Sequence, residues 1–324
     1  MSAEKIEILQ TGPMMAMIEA QLRAHFTVHR LDAEGAEAML AEAAPRIRAI
    51  ATGVGAGKRG VDADLLALLP HVEFVSNFGV GYDTVNVAEA AKRGIIVTNT
   101  PGVLDDEVAD LAVALTLMTV RQLPQAEQHV RQGRWPQGAF PLTASLRDRS
   151  IGIAGMGRIG QAIARRFEGF GRPIAYHTRR PVPGLAYRHY ASLIELARDV
   201  DVLVVIVPGG AATRHMINAE VLAALGPRGI LINVARGSVV DEEALIAALT
   251  DGTIEAAGLD VFAHEPHVPP ALLALDNAVL LPHVASATTL TRNAMGQLVV
   301  DNLLAWAAGR PPLTPVPETP VKAR

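Results

Sequence analysis

From Ser150 to Phe170 the chain reads S-I-G-I-A-G-M-G-R-I-G-Q-A-I-A-R-R-F-E-G-F. An apolar run, Ile151 to Ala154, leads straight into Gly155-Met156-Gly157-Arg158-Ile159-Gly160. After the turn, Ile159, Ile163 and Phe167 recur at helical spacing. The order is strand, tight turn, helix. Gly155 permits the sharp turn, Gly157 lets backbone approach a pyrophosphate, and Gly160 lets the helix pack close to the sheet. The helix start offers unpaired N–H groups and a partial positive charge to a phosphate. A glycine-rich turn alone is weak grounds; in this strand–helix context it points to dinucleotide binding.

That unit occupies the middle of 324 residues, a length that favours two domains over one core. Residues 1–99 alternate short β-like runs (Ile6–Leu9, Val28–Leu31, Ile47–Ala51, Val72–Ser76, Ile95–Thr98) with helical stretches (Ala33–Ala43, Asp62–Leu69, Thr84–Arg93). From Ser150 a second series begins. Its strands are Ile151–Ala154, Ile174–His177, Val202–Val207, Ile230–Val234, Ala256–Leu259 and Val279–Leu281; its helices are Arg158–Phe170, Ser192–Arg198, Ala219–Leu225 and Asp241–Thr250. Alternation of this kind predicts α/β architecture with two doubly wound parallel sheets, whose ligand crevices lie at the carboxyl ends of the strands. Between the series, Leu111–Met118 is apolar nearly all round, predicting a buried helix from about Leu104, and Pro124 is expected to end or kink it. A last helix, about Ala287 to Ala308, is expected to return to the first domain, and Pro311, Pro312, Pro315, Pro317 and Pro320 mark an extended tail. The predicted division is 1–99 with 287–324 as one domain and 100–286 as the other.

Composition removes several function classes. Net charge is −4 with no block of like charge, which offers no nucleic-acid or membrane surface. There is no Cys, so disulfides, thiolate metal sites and Cys nucleophiles are excluded, and no metal is expected. Met1–Gln10 does not read as a signal peptide, and no 18-residue apolar run exists, so a cytoplasmic enzyme is expected.

If the ribose carries a free 2′-hydroxyl, an Asp or Glu should end the second strand about 20 residues past the glycines. Here the chain reads Ala175-Tyr176-His177-Thr178-Arg179-Arg180. The acid is missing, and two guanidinium groups suit a 2′-phosphate through charge-assisted hydrogen bonds. NADP(H) is therefore preferred, with NAD(H) as the other cofactor the turn could take.

Three polar residues fall at carboxyl ends of predicted strands in the second series: Arg236 in N-V-A-R-G, Glu265 in G-L-D-V-F-A-H-E-P and His283 in L-L-P-H-V-A-S. Singly, each reads as a structural capping or turn residue. Together, beside a dinucleotide turn, they suit reduction of a 2-oxo acid. Ketone reduction needs a hydride, a proton for the developing alkoxide and a grip on the substrate. Imidazole titrates nearest neutrality and can supply the proton. A carboxylate beside it stabilises imidazolium and should raise its pKa. Arg can hold a carboxylate and polarise the adjacent carbonyl.

The chain resembles the D-isomer-specific 2-hydroxyacid dehydrogenase family over essentially its whole length. The motifs that carry the likeness are N-F-G-V-G-Y-D at 77–83, N-T-P-G-V-L at 99–104, G-M-G-R-I-G at 155–160, N-V-A-R-G at 233–237, G-L-D-V-F-x-x-E-P at 258–266 and L-P-H-V-A-S at 281–286. The resemblance implies a Rossmann nucleotide-binding domain inserted in a flavodoxin-like substrate domain. It implies catalytic roles for His283 as acid/base, Glu265 as its partner and Arg236 as substrate clamp. It places the cofactor on Gly155–Gly160, Thr178, Arg179, Arg180, Val207, Pro208, Thr213, Val234, Ala235, Arg236, Asp260, His283 and Ala285, with Asp260 bonding the nicotinamide amide. The substrate carboxylate falls to backbone N–H groups at Val80 and Gly81, with Arg236 and His283 completing its contacts. The Gly-rich Thr52–Gly57 turn and Phe78 are expected to line the substrate pocket.

Within the family, H-T-R-R and L-L-P-H-V-A-S are most like NADPH-linked glyoxylate/hydroxypyruvate reductases and hydroxyphenylpyruvate reductases. The family often has Thr where this chain has Asp105, followed by Asp106 and Glu107. Members are usually homodimers, and the arm from Trp135 to Leu142, with Phe140 expected exposed, could pack on the second subunit. Two other readings are kept: a non-enzymatic, corepressor-like dinucleotide sensor, and a methyltransferase, which also uses Gly-rich βα turns.

Overall fold

The computed structural model describes residues 5–53 and 59–319. These fall into two compact units, 1–104 with 288–324, and 105–287.

The first unit opens with β1 (Glu7–Gln10), α1 (Ala16–His25), β2 (Thr27–Arg30), α2 (Ala36–Ala43), β3 (Ile47–Ala51), α3 (Ala63–Leu68), β4 (Phe74–Ser76), α4 (Val87–Lys92) and β5 (Ile96–Thr98). The five strands pair in parallel in the order β2-β1-β3-β4-β5, the doubly wound arrangement that places its crevice beside β1 and β3. Central strands covered on both faces must be apolar throughout, and Ile47, Ala49, Ile50, Phe74 and Val75 are all fully buried. Helix starts are set by caps rather than by where apolar spacing begins. Asp62 accepts the Leu65 N–H at 2.7 Å and Asn86 accepts that of Glu89 at 3.0 Å, so α4 starts at Val87 instead of the expected Thr84. Helix α1 escapes sequence reading because its buried face amounts to Ile18 and Leu22 alone.

The second unit holds α5 (Asp105–Val120), α6 (Leu123–Arg131), β6 (Ile151–Ala154), α7 (Arg158–Glu168), β7 (Ile174–His177), β8 (Arg188–Tyr190), α8 (Leu193–Asp199), β9 (Val202–Val205), α9 (Ala219–Leu225), β10 (Ile230–Asn233), α10 (Glu242–Thr250), β11 (Ala256–Leu259), α11 (Pro270–Leu273) and β12 (Ala278–Leu280). Its sheet has seven parallel strands, ordered β12-β11-β10-β9-β6-β7-β8, one more than expected. The extra strand, β8, is a three-residue edge whose Arg-His-Tyr sequence has no apolar run. Helix α5 packs on α7 and on β10 and β11, burying Val108, Ala112, Leu115 and Val120. Pro124 neither ends nor kinks α5, which stops at Val120; it sits in the first turn of α6, where its missing N–H costs nothing. Phe140 is half-covered, edge-on to His129 with ring centroids 5.6 Å apart; Trp135 and Leu142 are the exposed apolar residues of that arm.

The chain then returns to the first unit as α12 (Thr289–Ala307), packed on α1 and β4 with Trp306 stacked on Phe74 at 5.4 Å. The proline-rich tail is docked rather than merely extended. Pro315 bridges Thr98, and the Val316 N–H reaches the Val97 carbonyl at 2.9 Å; Pro320 lies outside the described residues. Fully buried Asn302 ties that segment down, its Oδ1 accepting the N–H groups of Leu313 at 2.9 Å and Thr314 at 3.1 Å. No helix among the described residues is long and apolar enough to cross a membrane.

Asn302→Ala strands both of those N–H groups. It is expected to lower stability by about 1–2 kcal/mol, the loss of two part-buried hydrogen bonds, read as a reduced urea midpoint with unchanged turnover per folded molecule.

Candidate active site

In a parallel sheet all strands end at one edge, and loops from that edge are brought together. In the second unit β6 lies between β7 and β9, so the winding direction reverses beside the glycine turn and opens a crevice there. Gly155 has φ +105°, and a Cβ on it would sit 2.7 Å from the Ile206 carbonyl oxygen. A Cβ on Gly160 would meet Gly155 O at 2.1 Å, whereas one on Gly157 would meet nothing within 4 Å. The first two glycines are therefore enforced by protein atoms. The third faces open space that a ligand can fill. Gly157 caps α7 with no side-chain hydrogen bond, and no acid stands in the first turn, so the leading N–H groups are left to an anion. These features fit a dinucleotide pyrophosphate.

Met156 is buried, Ile159 half-buried and Arg158 exposed. Asp105 accepts from Arg158 Nε at 2.8 Å, while Asp106 at 3.0 Å and Asp110 both pair with Arg166. The acidic start of α5 is thus matched to basic residues of α7, and Asp105 stands beside the turn as half of an ion pair. At the end of β7, Thr178 Oγ1 donates to the Arg180 carbonyl at 2.7 Å, and Arg179 and Arg180 are exposed. Val207 and Pro208 follow β9, and the Thr213 hydroxyl donates to Pro208 O at 2.6 Å. Buried Val234 and Ala235 follow β10, and buried Ala285 follows β12.

Arg236, Glu265 and His283 follow β10, β11 and β12. Asn233, 1% exposed, shapes the first loop: its Oδ1 accepts the Ala235 N–H and its Nδ2 donates to the Arg236 carbonyl, both at 3.1 Å. A Cβ on Gly237 would lie 1.8 Å from the Phe262 carbonyl carbon, so the Arg236 turn presses directly on the loop that carries Glu265. That loop is pinned by Glu242, which accepts the Ala263 N–H at 2.7 Å. Glu265 accepts the Phe262 N–H at 3.0 Å with one oxygen and meets His283 Nδ1 at 2.7 Å with the other. His283 sits at φ +55°, a left-handed conformation costing roughly 1 kcal/mol or more for a side chain of this kind. Asp260 offsets that cost, its two oxygens accepting Val284 N–H at 2.7 Å and Ala285 N–H at 2.9 Å. Asp260 is fully buried, and each of its carboxylate oxygens already serves the His283 loop.

In the first unit the 77–83 loop follows β4. The Gly79 and Gly81 carbonyls accept from Asn77 Nδ2 at 3.2 and 3.1 Å, and the Val80 carbonyl accepts from Asn99 Nδ2 at 2.9 Å. With the carbonyls pinned, the Val80 and Gly81 N–H groups have no protein partner among the described residues, an arrangement suited to an anion. Thr52 accepts the Phe78 N–H at 2.7 Å, and Phe78 itself is buried. Residues 54–57, the rest of the expected Thr52–Gly57 pocket turn, lie outside the described residues.

Residues 113–285 match the sequence model of the NAD binding domain of D-isomer specific 2-hydroxyacid dehydrogenases. Glyoxylate/hydroxypyruvate reductase A HPR2 of Arabidopsis thaliana is 46% identical over 314 residues, covering 97% of this chain and 99% of the relative. This chain is a D-isomer specific 2-hydroxyacid dehydrogenase. Hydroxyphenylpyruvate reductase of Plectranthus scutellarioides is likewise 46% identical, with 97% and 99% coverage. Among solved structures, the NADPH-dependent glyoxylate/hydroxypyruvate reductase SmGhrB of Sinorhizobium meliloti, in complex with NADP and malonate, superposes with a TM-score of 0.94 at 52% identity, covering 99% of each chain.

In this dehydrogenase the two acids at the carboxyl edge are held differently. Burial pushes the Asp260 carboxyl up, against the pull of its two N–H donors and of His283. Burial would raise Glu265 too, but His283, the Phe262 N–H and the nearby Arg236 charge outweigh it and hold that carboxyl below the ordinary range. Sequence reading missed the supports: Asn233, Glu242, Asn77, Asn99 and Thr52. Asn233, Asn77 and Asn99 lie inside the quoted motifs; nothing local marks Glu242, whose partner is 21 residues away.

A depressed acid contributes stability that is fully present above its unfolded pKa and lost as pH falls through the folded one. Glu265→Gln should therefore lie below wild type in urea midpoint at pH 7, and the gap should narrow as pH approaches the glutamate range. A gap independent of pH would refute the charge-based account.

Proposed function

We propose that this dehydrogenase reduces a small 2-oxo acid of the glyoxylate or hydroxypyruvate type to the D-2-hydroxy acid, using NADPH in preference to NADH. The observation that carries the reading is the 2.7 Å contact between Glu265 and His283, with Arg236 packed beside it on the same sheet edge as the glycine turn. Support comes from the relatives, which are named as glyoxylate/hydroxypyruvate reductases, and from the two arginines that replace the ribose acid.

The division of labour follows from the donor set. The α7 start and Gly157 take the pyrophosphate, and Arg179 and Arg180 take the 2′-phosphate. Bound NADPH supplies the hydride for the keto carbon. Glu265 occupies Nδ1 of His283, which leaves Nε2 to carry the proton for the substrate oxygen. Arg236 grips the carboxylate and draws charge onto the carbonyl oxygen. The Val80 and Gly81 N–H groups of the first unit suit an anion. Asp260 acts chiefly by fixing the His283 loop. A cytoplasmic homodimer belongs to this reading, with exposed Trp135 and Leu142 covered by the second subunit.

A reductase of aryl-pyruvates is the second reading, favoured by the hydroxyphenylpyruvate reductase relative. The complete Arg–Glu–His set weighs against a non-catalytic sensor and against a methyltransferase, neither of which needs it.

A panel of glyoxylate, hydroxypyruvate and 4-hydroxyphenylpyruvate, each assayed with NADPH and NADH, is expected to rank the small acids first and NADPH above NADH; preference for the aryl acid selects the second reading, and no turnover on any defeats both. His283→Ala should cut kcat by about 10²–10⁴-fold while the Kd for NADPH stays nearly constant. Arg236→Ala should raise KM and lower kcat together, since the clamp holds substrate and also stabilises charge that develops later.

A further inference from the structure

We infer that His189, on the edge strand β8, is a positioning residue that makes the Arg179–Arg180 loop selective for a 2′-phosphate. The inference rests on the NADPH reading above and concerns how the loop earns that selectivity.

Two adjacent arginines on an exposed loop do not by themselves make a phosphate site. The guanidinium groups repel one another, and ordering their long side chains costs entropy at the moment of binding. Neither has an ion-pair partner among the described residues, so the repulsion is not locally neutralised. What distinguishes this loop is how firmly its backbone is held before any ligand arrives.

It is anchored at three points. At its start, His189 Nε2 lies 2.8 Å from the Thr178 carbonyl; a carbonyl only accepts, so Nε2 carries the hydrogen. In the middle, Thr178 Oγ1 donates to the Arg180 carbonyl. At its end, the buried Tyr176 hydroxyl accepts the Val182 N–H at 3.0 Å. The first and last anchors support each other, because Tyr176 and His189 are register partners across β7 and β8 and their rings pack with centroids 5.1 Å apart. The same edge is closed by His177 Nδ1, 3.0 Å from the Tyr190 carbonyl.

Of these anchors, His189 is the one supplied by the neighbouring strand. Among the described residues it makes no hydrogen bond to either arginine side chain, and its Nε2 is committed to Thr178 O. Its effect therefore reaches the ligand only through the backbone, by keeping Thr178 to Arg180 from swinging away under their own charge. That gives the short edge strand two tasks: β8 buries Tyr190 in the core, and half-buried His189 ties down the loop.

The test uses the full-length protein and two probes that differ by one group, adenosine 2′,5′-bisphosphate and 5′-AMP, titrated by calorimetry. Wild type should bind the bisphosphate more tightly. His189→Ala should weaken the bisphosphate about tenfold, the effect of losing one anchoring hydrogen bond from a charged site, and 5′-AMP less than about twofold. His189→Leu keeps bulk beside the Tyr176 ring without a donor and should match Ala, which secures the result if Ala folds poorly. His189→Gln, whose amide can donate to Thr178 O, should recover most of the loss. With NADPH, KM should rise while kcat at saturation is unchanged. Equal weakening of both probes, or no weakening in Ala and Leu, overturns the positioning role and leaves the NADPH reading standing. A wild type that binds the two probes equally removes that reading and this inference together.

Discussion

The carboxylate of Asp260 is fully buried at the end of β11, where it receives the N–H groups of Val284 and Ala285. An imidazole can pass a proton only if its ring is aimed, and His283 is aimed from a loop in a left-handed conformation that its own backbone disfavours. The two bonds to Asp260 hold that conformation from behind, and Glu265 stops the ring from the side. Glu265 is itself held by the Phe262 N–H, and the following residue by Glu242. Gly237 lets the Arg236 turn close onto the same segment. Arg236, Glu265 and His283, the groups proposed to react, are thus tied into a network of carboxylate and amide contacts.

Parallel pairing is what allows such a chain to exist. Seven strands run the same way, so the loops that follow all seven leave from one edge, and those of neighbouring strands meet there. An antiparallel sheet would send alternate loops to opposite ends. The same constraint puts the α7 start at that edge, where its unpaired N–H groups serve an anion without any charged side chain.

Charge is distributed unevenly along this edge. Arg158, at the glycine turn, is matched by Asp105, and Arg166, in the last turn of α7, by Asp106 and Asp110. Arg179 and Arg180, at the ribose end, are not matched by acids in that way. Neutralisation at the pyrophosphate turn suits a group common to both nicotinamide dinucleotides, which backbone N–H groups can recognise alone. In the NADPH reading proposed above, the unbalanced pair stands where the two dinucleotides differ. Under that proposal discrimination is a matter of loop rigidity, because mobile arginines would spread their charge over solvent.

Much was legible because it is written in local spacing. The glycine turn, the strand ends and the motifs around Arg236, Glu265 and His283 depend on residues close in sequence, and their backbone demands can be read one segment at a time. Helix α1 and strand β8 were not legible: the former buries only Ile18 and Leu22, and the latter has no apolar alternation. Asp260 reads as a ligand contact in the motif, and its bonds to residues 24 and 25 positions away show that it also braces the His283 loop. Asp105 reads as an anomaly beside a phosphate site until Arg158, 53 residues on, is found paired to it. The sequence by itself determined the parallel architecture and the dinucleotide turn, and it marked the candidate side chains Arg236, Glu265 and His283, since propensity, periodicity and motif act over a few residues. Only the tertiary structure decided which polar groups are braces and which are left for ligand, because a hydrogen bond between distant segments exists only once the sheet has brought them together.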